Sequence, residues 1–339
     1  MLPTRRDLIR AAVATPFLAG VSRAQEPGRP FPGLIVRAHE PRNLEFPVSE
    51  LRDAIVPNEH FFVRSHFAVP TVDVTSWKLK VEGAVDKPFE LSYEELTKLP
   101  SRSLTATLEC AGNGRVHISP PVQGLQWGQG AVGNAEWGGI PLAAILEKAG
   151  VKAGAVEVIL EGADMGQINH EPRSPGPIPF ARSLPIEKAK KDEVLLAYKM
   201  NGETLPTSHG YPLRAVVGGW YGMASVKWLT RIIVSTQRFR GFWQSLDYSY
   251  FERRDGMPTL RPVAAMEPKA IIARPGLSEI VPAGKSFRLF GAAWAGERAV
   301  DKVEISLDGG KSWASAKLLA KAQPVQWVLW EYAWEKPER

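Results

Sequence analysis

Helical patterns in this chain are short, and that limits its fold more than any other feature of the sequence. The longer of the two clear ones, Pro141 to Lys148, has Pro in its first turn and Gly150 as its C-cap. Ser92-Tyr93-Glu94-Glu95 forms a capping box for a second short helix, which must stop before Pro100. Around them, apolar runs of strand length recur. Trp77 to Glu82, Pro88 to Leu91, Ser103 to Glu109, Val156 to Leu160, Val194 to Met200, Leu213 to Val217 and Val226 to Val234 each read as a strand. Many strands and few helices predict an α+β protein with mixed sheets.

The 339 residues suffice for two domains. Residues 25–60, rich in Pro and charge, read as an irregular arm, and 61–261 as the main domain. A second unit begins near residue 262. There Ser286 to Leu289, Val303 to Leu307 and Trp313 to Leu318 alternate, with Asp308-Gly309-Gly310 as a hairpin turn. About four strands are countable where an immunoglobulin-like sandwich takes seven, so 262–339 is expected to be a partial sandwich of that kind. At 44% hydrophobic and 23% charged residues, wholesale disorder, collagen and coiled coil are excluded.

The N-terminus reads as an address. Thr4-Arg5-Arg6-Asp7-Leu8-Ile9-Arg10 precedes an uncharged stretch, Ala11 to Ser22, and Ser22-x-Ala24 is a small-residue cleavage site. The paired arginines predict a twin-arginine export signal over 1–24 and a periplasmic protein. The apolar stretch contains Pro16 and Gly20 and falls short of the ~20 residues a spanning helix needs, and no later stretch suits a bilayer. Losing 1–24 removes four Arg and one Asp, which halves the net charge of +6. That residue of charge is too mild to argue for nucleic acid.

Two glycine motifs mislead. Gly128-Gln-Gly130-Ala-Val-Gly133 fits a dinucleotide fingerprint, but Trp137-Gly138-Gly139 and Pro141 prevent the continuous helix it requires. Gly284-Lys285-Ser286 resembles a phosphate-loop ending, yet Glu279 stands where the first Gly must be.

The chain has one cysteine, Cys110, so it has neither an intrachain disulfide nor a Cys₄ metal site. Cys110 lies at a strand end, followed by Ala111-Gly112-Asn113-Gly114, which leave room for another group to approach the sulfur. Arg115, five residues on, favours the thiolate. A metal ligand, a nucleophile and a buried structural thiol all fit these residues.

Several separated segments together resemble the sulfite oxidase family of molybdopterin enzymes. Phe61-Phe62-Val63-Arg64-Ser65-His66 is similar to the family's F-F-x-R-x-H, and Glu109 to Arg115 to its cysteine loop, E-C-A-G-N-x-R. Gly124-Leu125-Gln126-Trp127 and Glu161-Gly162-Ala163-Asp164 resemble its G-L-x-W and E-G-x-D. Asn201-Gly202, His209 to Arg214 and Ser225-Val226-Lys227-Trp228 resemble the pterin-binding segment, and Trp243-Gln244 with Asp247-Tyr248 the segment bearing the active-site tyrosine.

The resemblance implies a mononuclear molybdenum centre on molybdopterin, with 61–261 as the catalytic domain and 262–339 of the dimerisation type. Cys110 is then the protein ligand to the metal. Arg64, Asp164, His209, Arg214 and Lys227 hold the pterin and its phosphate, completed by Phe62, Val63, Ser65 and His66 and by Ser225 and Val226. Arg64 and Arg115 face a small oxyanion, Tyr248 donates a hydrogen bond near the oxo group of the metal and Trp127 shapes the wall. The implied reaction is oxidation of sulfite to sulfate.

No C-x-x-C-H haem motif is present, so the electrons are expected to leave for a separate acceptor; export points to a periplasmic c-type cytochrome, with quinone and oxygen as the alternatives. The family's W-N-x-R-G segment, with its pocket arginine, is not found, which bears on both substrate choice and homodimer formation. The competing readings are a periplasmic sulfoxide reductase acting on methionine sulfoxide and a non-catalytic subunit that binds cofactor or cytochrome. A neutral sulfoxide has no use for paired cations, which disfavours the first. Export disfavours assimilatory nitrate reduction.

Overall fold

Lys78–Gly83, with the sequence Lys-Leu-Lys-Val-Glu-Gly, shows how the sheets form: Leu79 and Val81 are fully buried while Lys78 and Lys80 stay in solvent. This strand belongs to a five-stranded sheet ordered Phe89–Ser92, Lys78–Gly83, Leu229–Ser235, Glu157–Gly166, Ile178–Pro185. Its one parallel pairing joins Leu229–Ser235 to Lys78–Gly83, and its other pairings are antiparallel. A second five-stranded sheet runs Glu203–Thr204, Val194–Met200, Val132–Pro141, Arg102–Glu109, with Arg214–Val217 also paired to Val194–Met200. The computed structural model describes residues 32–338, so the expected export signal lies outside the described residues.

Both sheets contribute to one apolar core that contains Leu79, Val81, Leu160, Leu196, Val217 and Ile232. The helix Leu142–Ala149 seals it with Leu142, Ile145, Leu146 and Ala149, the i, i+3, i+4, i+7 stripe of an amphipathic helix. Gly150 ends that helix at φ 68°, its N–H donating to the carbonyls of Leu146 and Glu147. The Ser92 capping box closes as the sequence predicts, on the short helix Tyr93–Thr97.

Where the dinucleotide fingerprint would open a helix, the chain enters the strand Val132–Pro141 instead. That strand and Ile178–Pro185 are absent from the sequence reading. The segment 25–60, read as an irregular arm, carries a hairpin of Ile35–Ala38 and Asn43–Glu45, whose second strand is buried. A more exposed hairpin, Ser249–Arg254 with Met257–Pro262, leads to the last sheet.

That last sheet is ordered Lys269–Arg274, Phe287–Trp294, Val328–Trp334, Lys317–Leu318, and a small ladder joins Glu304–Ile305 to Ala314–Ser315. Phe287, Leu289 and Ala293 build a second small core with Val303, Ile305 and Trp330. Ala292 and Trp294 on the opposite face are buried too, so Phe287–Trp294 is covered on both sides. Gly291 sits at the centre of this sheet, where an added Cβ would fall 1.9 Å from the Ile271 carbonyl oxygen. Gly291→Ala is therefore expected to destabilise the protein by about 1–3 kcal/mol, seen as a lower urea midpoint. An unchanged midpoint would show that the sheet yields at this point.

Candidate functional site

The Arg102–Glu109 strand ends at Cys110, and the backbone there is tied at once. Cys110 N–H donates to the Ala131 carbonyl at 2.9 Å, and Asn113 N–H donates to the Cys110 carbonyl at 2.9 Å. The Asn113 side chain accepts from Ala131 N–H at 3.0 Å and donates to the Glu109 carboxylate at 3.0 Å. The small residues after the cysteine do more than admit a ligand. An added Cβ at Gly112 would lie 2.7 Å from Arg115 Nη2, and one at Gly124 2.1 Å from Arg115 Nη1. Both glycines make room for the Arg115 guanidinium, which donates to the Leu125 carbonyl at 3.2 Å.

Cys110 opens into a cavity whose lining includes Phe62, Arg64, Ser65, His66, Asp164, His209, Arg214, Ser225, Lys227 and Tyr248. Segments more than a hundred residues apart thus meet as the motifs require. Val63 and Val226 are buried behind this lining and serve through their backbones: Val63 pairs with Leu44, and the Val226 carbonyl accepts from Ala215. Arg115 and Trp127 are not on its wall. Arg115 lines a neighbouring cavity with Gln123, Gln129 and Lys269, and Ala111 lines both. Trp127 is fully buried, and its carbonyl accepts from Val116 behind the cysteine loop.

Lys227 is brought into place by an irregularity. The sequence predicts a strand from Val226, but the ladder starts at Leu229 because Trp228 is left-handed, at φ 49°, next to Lys227. The Lys227 ammonium donates to Ser65 Oγ at 3.1 Å and to the Ser208 carbonyl at 2.9 Å, and lies 4.1 Å from the Trp228 ring centroid. Arg214, buried over the Trp137 ring, donates to the carbonyls of Ala215, His209 and Ser225. Arg64 donates to the Ser65 carbonyl and to Asn43.

Among the described residues none of these cations has a carboxylate within ion-pair distance, and Asp164 Oδ1 is buried without a hydrogen-bond partner. Burial depresses the Lys227 pKa well below its usual value, aided by Arg214. Burial alone brings Arg214 down to about 9. Burial raises the Asp164 carboxyl, against the pull of Lys227. Such a pocket wants a ligand with anionic oxygens for the cations and N–H donors for Asp164.

Tyr248 closes the far side. Its hydroxyl is 2.7 Å from His66 Nε2, and the imidazole stacks on Phe180 at 4.3 Å. Burial pushes the Tyr248 phenol up to about 12, and burial with Arg64, Lys227 and Arg182 keeps His66 neutral. Burial also raises the Cys110 thiol, with Arg64 and Arg115 pulling the other way. Arg182 was missed in the sequence. It is fully buried, donates to the carbonyls of Trp243 and Val263, and lies 5.7 Å from the Tyr248 ring centroid, so it holds both ends of the tyrosine segment. Its strand carries no motif, and only the fold reveals it.

Residues 66–243 match the family described as oxidoreductase molybdopterin binding domain, and residues 261–336 the Mo-co oxidoreductase dimerisation domain. The chain is 39% identical over 319 residues to the sulfite oxidase of Gallus gallus, covering 88% of this chain and 68% of that protein. The chain belongs to the sulfite oxidase family. It is thus a molybdenum-dependent oxidoreductase whose cofactor is Mo–molybdopterin. It is also 36% identical to the mitochondrial sulfite oxidase of Drosophila melanogaster, of which it spans 52%. The sulfane dehydrogenase SoxCD of Paracoccus pantotrophus shares the fold, with a TM-score of 0.78 at 28% identity, over 98% of this chain and 85% of that one.

For a sulfite oxidase family member the cavity is chemically apt. A pterin offers N–H donors to Asp164, and a phosphate offers oxygens to Arg214 and Lys227. No group of three or more His, Cys, Asp or Glu able to hold a metal occurs among the described residues.

His209 gives this pocket a measurable pH signature. Burial, with Lys227 and Arg214 nearby, pushes its pKa down to about 3 from the usual 6.5. The unfolded chain therefore binds a proton that the folded chain refuses, and stability falls as pH drops from about 6.5 toward 3. In cofactor-free protein, His209→Gln is expected to lose less stability than wild type between pH 7 and pH 4, read as urea midpoints. Parallel curves would mean that His209 titrates normally.

Proposed function

We propose that this protein oxidises sulfite to sulfate and passes the electrons to a separate acceptor. The observation that carries the reading is one cavity holding the only thiol of the chain beside Arg64, Tyr248 and an excess of positive charge. Relatives named sulfite oxidase over most of this chain support it. Sulfite and water give sulfate, two protons and two electrons, and the molybdenum cofactor, when bound, supplies this two-electron oxygen-transfer chemistry.

The residues have distinct tasks in this reading. Cys110 ligates the metal. Asp164, His209, Arg214 and Lys227, with the Phe62–His66 and Ser225–Lys227 backbones, hold the pterin and its phosphate. Arg64 lines the same cavity as the thiol and the tyrosine and attracts the sulfite dianion, with Arg115 reinforcing it from the neighbouring cavity. Charge-assisted bonds of that kind are roughly twice as strong as neutral ones. Tyr248, kept protonated, offers its hydroxyl to a substrate or product oxygen.

The acceptor in this proposal is a periplasmic c-type cytochrome. Its support is the twin-arginine pattern at Arg5-Arg6 and the absence of a C-x-x-C-H motif. No helix among the described residues is long and apolar enough to cross a membrane. The match of 261–336 to a dimerisation domain supports a homodimer.

Two measurements test the reading. Molybdenum-loaded protein is expected to oxidise sulfite with ferricyanide or cytochrome c, and Cys110→Ser to remain folded with almost no turnover, since a hydroxyl is a harder and far more weakly acidic ligand. Wild-type turnover in that variant would remove Cys110 from the metal. Arg115→Gln is expected to raise KM for sulfite several-fold with a smaller loss of kcat, and to lessen the effect of added salt. Equal reduction of methionine sulfoxide by wild type and Arg115→Gln, with no sulfite oxidation by either, would establish a sulfoxide reductase instead.

A further inference from the structure

Thr107 and Glu109 lie on one face of the strand that ends at Cys110, while Leu108 and Cys110 lie on the other and line the cofactor cavity. The face carrying Thr107 and Glu109 does not meet solvent: both side chains are fully buried. Asn134 accepts from Thr107 Oγ1 at 2.9 Å and Asn113 reaches Glu109, and the rest of their polar partners come from residues 269–327.

Glu109 Oε1 accepts from Lys269 Nζ at 2.6 Å, and Oε2 from Trp294 Nε1 at 2.9 Å. With Asn113 at 3.0 Å, the carboxylate has a charged partner and two neutral ones. Two residues earlier, Thr107 N–H donates to the Val325 carbonyl at 2.9 Å, and Thr107 Oγ1 accepts from Trp327 N–H at 2.8 Å. Val325, left-handed at φ 61°, is itself tied to the Gly296 carbonyl at 3.1 Å. Two successive same-face positions of the strand are thus stapled from outside, and the second staple is an ion pair whose acidic half is completely enclosed.

We propose that the C-terminal sheet is a positioning device for the Cys110 sulfur, acting through Lys269 and Trp294 on Glu109. A strand end followed by Ala-Gly-Asn-Gly has little side-chain packing of its own to fix the sulfur. The Glu109 staple supplies it, because the next residue's direction is set by the strand's alternation once Glu109 is fixed. Asn113 extends the same hold into the loop, since it bonds Glu109 with one end of its amide and Ala131 with the other. Removing Lys269 leaves an enclosed carboxylate without its counter-charge, and the strand end must open to hydrate it. Lys269 and Trp294 touch neither substrate nor cofactor in this scheme.

The inference uses the proposed ligand role of Cys110 only for its consequence in the loaded enzyme, so the first measurement avoids cofactor. The chain has one cysteine, so the rate at which a disulfide reagent such as DTNB labels cofactor-free full-length protein reports Cys110 alone. Lys269→Met is expected to raise that rate about tenfold or more, with Trp294→Phe intermediate and Lys269→Arg close to wild type. Leu160→Ala, in the main core and matched for lost urea stability, controls for global loosening and is expected to label nearly as slowly as wild type. In loaded enzyme, Lys269→Met is expected to shift the thiolate-to-molybdenum absorption band and the Mo(V) paramagnetic spectrum. Labelling of Lys269→Met no faster than wild type, or no faster than the Leu160→Ala control, would overturn the positioning role. Fast labelling with an unshifted spectrum and an active Cys110→Ser would instead retain the clamp and remove Cys110 from the metal.

Discussion

Positive charge without a matching anion governs the centre of this protein. Arg64, Arg214 and Lys227 converge on one cavity with Asp164 on its wall and Asp247 near Arg64 as the opposing carboxylates, and their hydrogen bonds go to carbonyls, an amide and a hydroxyl. Holding such charges away from water is unfavourable, and the cost falls on the folded state until an anionic ligand arrives. The fold tolerates this because the two five-stranded sheets and the Leu142–Ala149 helix build a large apolar core that meets the cavity at only a few residues, such as Phe180 and Met223. Burial loads the pocket, and ligand binding discharges it. Cofactor and fold are therefore linked, with the bound form stabilised in proportion to its affinity.

The elements that hold these charges are loops and strand ends, each locked by a local device. Trp228 takes a left-handed backbone beside Lys227, Gly210 at φ 114° follows His209, and Gly114 at φ 86° precedes Arg115. Arg182 donates from its two terminal nitrogens to the Trp243 and Val263 carbonyls, which fixes the π-helical turn Trp243–Asp247 that delivers Tyr248. Glu109 does the corresponding work for Cys110. Buried charged side chains in this fold chiefly hold backbone segments in place, and only some of them face a ligand.

What the sequence revealed follows from this division. Strands with clean alternation, such as Lys78–Gly83, and helices with caps, such as Leu142–Ala149, were legible because their patterns are local. The cavity lining was legible through motif resemblance, since the separated motif segments supply most of the residues that line it. Val132–Pro141 was not, because its Gly133, Gly138 and Gly139 dilute the alternation: a Cβ at Gly133 would strike Phe61, and one at Gly139 the Leu196 carbonyl. The strand start predicted at Val226 failed where Lys227 must turn into the site. Lys269, Trp294 and Arg182 gave no signal, because a residue that supports another from a distant segment carries no local pattern.

The cavity is also divided, and the division bears on the substrate. Arg64 is the leading cation acting on both Cys110 and Tyr248, whereas Lys227 and Arg214 act on His209. Arg214 is tied to the His209 and Ser225 carbonyls and Lys227 to the Ser208 carbonyl, so neither is free to swing toward the thiol. A phosphate at the His209 end would occupy those two and leave Arg64, with Arg115 behind the cysteine loop, for whatever reacts beside the sulfur. A neutral substrate there would leave Arg64 without an ion-pair partner, with only the more distant Asp247 carboxylate to offset it, while a small dianion would answer it directly. The same arithmetic that calls for an anionic cofactor at one end of the cavity therefore calls for an anionic substrate at the other.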